Sequence, residues 1–99
     1  MCPAVTRVGD NDITHCSPPT RAKGSDNVFA NGKQVSRQGD ANTVHLKPRP
    51  PTPPCEPHSS SIASGSGTVF VNGKGCGRVG DSISSCTAVA QGSGDVFAG

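Results

Sequence analysis

The chain has 99 residues, of which 13 are Gly and 9 are Pro, while Leu, Ile, Val and Phe together supply only 17. A single domain fits this length, and a chain without Trp or Tyr and with one Leu is neither an ordinary helical bundle nor a doubly wound α/β enzyme. Nine basic residues against seven acidic ones, scattered without a stripe, give a net charge of +2 and make nucleic acid a poor partner.

The amino-terminal run Met1-Cys2-Pro3-Ala4-Val5-Thr6-Arg7 has no apolar signal core, and nowhere do 18 apolar residues run together. The expectation is synthesis in the cytoplasm without a membrane span. Cys2, Cys16, Cys55, Cys76 and Cys86 are odd in number and follow no secretory signal, so metal-binding or buried thiols fit better than a disulfide scaffold. Apolar side chains this sparse call for some other staple.

Internal repetition organises the rest of the chain. Residues 24–40 (GSDNVFANGKQVSRQGD) and 65–81 (GSGTVFVNGKGCGRVGD) align without a gap at an offset of 41, with ten of seventeen positions identical. A third copy is split: residues 92–99 (GSGDVFAG) carry its first half and residues 2–10 (CPAVTRVGD) its second. The single domain, 1–99, therefore reads as three units, 92–99 plus 2–16, 24–45 and 65–86, with a Pro-rich loop at 46–64. Val28-Phe29-Ala30 and Val69-Phe70-Val71 each run into Asn-Gly, a type I′ hairpin signal because both turn residues need positive φ. The two termini form the corresponding hairpin of the split unit. Phe29, Phe70 and Phe97 share one register and are expected in the core. Each unit continues into Arg-x-Gly-Asp (Arg7 to Asp10, Arg37 to Asp40, Arg78 to Asp81), read as a turn with the Asp paired to its own Arg rather than to a metal.

Five residues beyond each of those Asp stand His15, His45 and Cys86. A pseudo-threefold arrangement brings these three to one axis as three corners of a tetrahedron. A fourth ligand has to come from the long, asymmetric connection after Asp40, whose stretch KPRPPTPPCEPHSSS contains the remaining histidine, His58, and also Cys55. Zinc accepts either set, and structural zinc sites have all four positions filled by protein. Zinc contributes folding free energy on the order of 10 kcal/mol, which suits a chain short of apolar area. The prolines read as a stiff loop that carries His58 inward rather than as a ligand for a polyproline-binding partner. No phosphate loop, nucleophile elbow or general acid–base pair is present, and His15 and Cys16, adjacent on a strand, point to opposite faces.

Pro3-Ala4-Val5-Thr6-Arg7 with Val8-Gly9-Asp10 resembles the proline-alanine-alanine-arginine motif of PAAR-repeat proteins, with Val5 and Thr6 departing from the named tetrapeptide. The resemblance extends over the G-S-x-x-V-F-x-N-G-K and R-x-G-D repeats and so over essentially the whole chain. It implies an all-β, cone-shaped pseudo-threefold array of three hairpin repeats, zinc-stapled at the apex by three histidines and one cysteine. Those ligands map onto His15, His45, His58 and Cys86, which favours His58 over Cys55. It implies a structural, non-enzymatic tip capping the blunt end of a trimeric spike, one monomer per trimer, in a type VI secretion system or contractile phage tail, delivered outside the cell or carried in the virion tail. Longer relatives carry toxin domains, and with the last repeat at the end of this sequence the expectation is that none is attached. The contending readings are a zinc-stabilised adaptor that holds effector cargo, and a small thiol or zinc enzyme.

Overall fold

A computed structural model describes residues 2–14, 17–47, 56–84 and 86–99. Both Asn-Gly pairs lie in tight turns with positive φ at each residue, 55° and 75° at Asn31 and Gly32, and 54° and 78° at Asn72 and Gly73. These are type I′ turns, whose twist suits a two-residue hairpin. They join β1 (Phe29–Ala30) to β2 (Lys33–Gln34), and β5 (Phe70–Val71) to β6 (Lys74–Gly75). Registers match: Ala30 opposes Lys33, and Val71 opposes Lys74. At the corresponding place of the split repeat, Ala4 bridges Phe97, Val5 N–H donates to the Val96 carbonyl, and Ala98 N–H donates to the Pro3 carbonyl. The third antiparallel pair is β3 (His45–Lys47) with β4 (Glu56–His58), whose ends flank the Pro-rich segment. The described residues are thus all-β, with short antiparallel pairs and no helix.

Each repeat also pairs with the next, and the last with the first. Arg7 bridges Val35, Arg37 bridges Cys76, and Arg78 bridges Val5. Between these bridges three backbone hydrogen bonds close a cycle: Ser36 N–H to Thr6 O, Gly77 N–H to Ser36 O, and Thr6 N–H to Gly77 O, at 2.9 to 3.0 Å. A Cβ on Gly77 would stand 2.7 Å from the Ser36 carbonyl oxygen, so this crowded place takes glycine.

Among the described residues the core consists of two clusters. One is made of Val5, Val35 and Cys76 with Ala30, Val71 and Ala98, two sets of repeat-equivalent residues. The other is made of Ile62, Ile83 and Val89, with Val79 and Cys86 packed against it. The phenylalanines belong to neither. Phe29, Phe70 and Phe97 are 55, 60 and 55 % exposed, which corrects their expected core position. Side chains alternate along a strand, and where the two hairpins and the paired chain ends meet, the inward place holds Ala30, Val71 or Ala98. The bulky ring is turned outward, beside the equally repeated and exposed Val28, Val69 and Val96.

The Arg-x-Gly-Asp turns behave as their residues demand. Gly9, Gly39 and Gly80 have φ of 93°, 91° and 93°. In each turn the Asp N–H donates to the Arg carbonyl three residues back. The carboxylate in return accepts from that Arg's backbone N–H and from two guanidinium nitrogens. The three Asp are therefore committed to their own arginines.

Candidate metal centre

The antiparallel register of β3 and β4 sets His45 directly opposite His58. Their ring centroids lie 4.4 Å apart, with an interplanar angle of 61°. Cys86 reaches the pair from a separate turn, closed by its own N–H donating to the Ile83 carbonyl. Its Sγ lies 3.3 Å from His45 Nε2 and 3.4 Å from His58 Nε2. The ligand atoms of these three residues all fall within 4.8 Å of one another. A tetrahedron with metal–nitrogen bonds of about 2.0 Å and a metal–sulfur bond of about 2.3 Å has an N···S edge of about 3.5 Å. The two N···S separations therefore fit a metal ion held between these atoms.

Local hydrogen bonds orient the donors. His45 is buried, and its Nδ1 lies 2.7 Å from the Thr43 carbonyl oxygen. A carbonyl only accepts, so Nδ1 carries the proton and Nε2 presents its lone pair toward Cys86. Burial pushes the Cys86 thiol above its ordinary value, against hydrogen bonds from the Asn42 side chain and the Thr87 backbone that favour the thiolate.

Behind the sulfur lies a buried polar network. Asn42 Nδ2 donates to Cys86 Sγ at 3.8 Å and to Asp12 Oδ2 at 3.1 Å, while Asn42 Oδ1 accepts from the Ser60 N–H at 2.9 Å. Asp12 Oδ2 also meets Arg21 Nη2 at 3.1 Å, with both side chains fully buried. Burial raises the Asp12 carboxyl and lowers the Arg21 guanidinium, each partly offset by the other's charge. Arg21 Nη1 donates to the Asp40 carbonyl.

Of the four residues singled out from the sequence, the structure brings together His45, His58 and Cys86. His15 lies outside the described residues, as do Cys16 and Cys55. Sequence reasoning missed Asn42, Asp12 and Arg21. The repeat register held a signal for two of them: Asp12, Asn42 and Ile83 each stand two positions after the Asp of an Arg-x-Gly-Asp turn, and polar residues fill two of those three places. No protein-family model matches the chain, and no curated protein matches it.

Proposed function

We propose that the chain is a PAAR-repeat spike tip: a zinc-stapled cone of three hairpin repeats that caps the blunt end of a trimeric β-helical spike in a contractile injection machine and sharpens it for envelope piercing. The observation that carries this reading is the threefold recurrence of one exposed apolar pair, Val28-Phe29, Val69-Phe70 and Val96-Phe97, on three repeats whose backbones are bonded in a cycle. Apolar side chains repeated in register on an open surface mark an interface. Three copies of one patch on a single chain answer a partner that presents three identical surfaces about a threefold axis. A single monomer thereby caps three subunits.

At the other end, the proposed ion is zinc, held by His45, His58, Cys86 and, as the fourth ligand, His15. Imidazole and thiolate donors suit zinc, and a site filled by four protein ligands is structural, not catalytic. Zinc there ties the flanks of the Pro-rich loop to the turn at Cys86. A tip held this way resists splaying when a contracting sheath drives the spike forward. The protein is assembled on the spike and leaves the cell with it.

The test is co-sedimentation with a purified trimeric spike β-helix, comparing the wild type with the triple variant Phe29→Ser, Phe70→Ser, Phe97→Ser. Saturable binding by the wild type that the folded triple variant loses is the expected result. Equal binding by both, or none by the wild type, contradicts the reading.

A further inference from the structure

We propose that Asn42 is the positioning residue of the metal centre, its side-chain amide donating to the Cys86 sulfur while its carbonyl holds the backbone that follows His58. This rests on the metal-centre part of the proposed function and names a residue that the ligand set does not contain.

The orientation of the amide is fixed by its partners. The Ser60 N–H requires an acceptor, so Oδ1 faces Ser60; the Asp12 carboxylate requires a donor, so Nδ2 faces Asp12 and, with its second hydrogen, Cys86. A flipped amide would set N–H against N–H and oxygen against oxygen. Asp12 is in turn held by Arg21. The chain of contacts runs from Arg21 through Asp12 and Asn42 to the sulfur. The backbone adds a further tie, Asn42 N–H to Ser60 O at 2.9 Å. Asn42 thus fixes two things at once: the position of the Cys86 sulfur, through its Nδ2, and that of the backbone that follows His58, through its Oδ1.

The register gives the reason to regard this as a function of the residue rather than a packing habit. The equivalent place in another repeat is Ile83, buried in an apolar cluster, so the fold accommodates a branched hydrocarbon there. An amide buried at 3 % exposure gains nothing from burial itself. What Ile83 cannot do and Asn42 does is donate to the Cys86 sulfur. An N–H···S bond draws charge from the sulfur, which steadies the thiolate and lowers the energy of its lone pairs. Outer groups of this kind affect metal affinity by roughly 10- to 100-fold.

The experiment uses cobalt(II) as the probe on the full chain, wild type and Asn42→Leu. The wild type is expected to bind one cobalt with a thiolate-to-cobalt charge-transfer band. Asn42→Leu is expected to bind about 10- to 100-fold more weakly, with that band moved to lower energy. An unchanged affinity and band in the variant overturns the role of Asn42 and leaves the metal centre standing. A wild type that takes up no cobalt, or shows no thiolate band, overturns the metal centre and this proposal with it. Should the variant not fold, the wild type loaded with cadmium-113 decides: scalar coupling from an Asn42 side-chain amide proton to the metal through sulfur is expected, and its absence overturns the proposal.

Discussion

The hairpins and the metal centre are built on the same repeat, yet the two regions settle it differently. Around the hairpins every repeat contributes the same kind of residue: Ala30, Val71 and Ala98 face inward, with Val5, Val35 and Cys76 beside them. Around the metal centre the equivalent places diverge into Asp12, Asn42 and Ile83, and into Arg21, Ile62 and Val89. β3 and β4 touch neither described hairpin. Similar, small apolar residues let backbone hydrogen bonds and close packing hold one region. Mixed polar and apolar residues leave the other dependent on a charge network and, in the proposed reading, on an ion. Repetition is kept where a symmetric partner is proposed to dock and abandoned where a unique ligand set is assembled.

Metal removal should separate the two regions most. Chelation, or Cys86→Ser, is expected to lower stability by several kcal/mol and to open amide exchange first at residues 41–45, 58–62 and 82–89. Protection at Val5, Val35 and Cys76 should persist; simultaneous loss at both places would erase the distinction. Because burial raises the Cys86 thiol, the metal displaces a proton there, and affinity should fall at least about tenfold for each unit the pH is lowered below that raised value. Titration of the apo protein with zinc at several pH values checks the sign.

The buried ion pair comes next in size. Arg21→Met leaves the Asp12 carboxylate buried without its cation and is expected to cost about 3–5 kcal/mol in denaturant unfolding. Replacing Asp12 and Arg21 together by isoleucine, in the manner of Ile83 and Ile62, should recover only part of that loss, because the Asn42 amide then loses its Asp12 acceptor. A double variant as stable as the wild type would mean that the polar sector only fills space.

Smaller effects belong to the hairpins. Asn72→Ala places a Cβ residue without a helpful amide at φ of 54° and removes bonds to Ser25 and Arg37, so thermal unfolding should report a loss of about 1–2 kcal/mol. Asn72→Gly, which retains the turn, should isolate the part due to those bonds. Phe70→Ser, on an exposed ring, should change stability by no more than about 0.5 kcal/mol. A large loss would return the phenylalanine to a structural role.

Much of this organisation was legible in the sequence, and the misses have physical causes. Asn-Gly and Gly-Asp specify turns through backbone geometry alone, so β1–β2, β5–β6 and the Arg–Asp pairs follow from local residues. The pairing of residues 4 and 97 followed from the split repeat. Phe29, Phe70 and Phe97 were misplaced because apolarity ranks a ring above an alanine for burial, whereas available volume between converging hairpins ranks them the other way. His45 and Cys86 came from the register, and His58 from being the histidine left over. Asn42 escaped because asparagine is ordinary near turns, and its value here depends on a sulfur 44 positions away.

The most direct test of the central claim is native mass spectrometry of the complex with a trimeric spike β-helix. The account predicts three spike subunits, one copy of this chain and one zinc ion. Three copies of the chain per trimer, or one copy without metal, would contradict it.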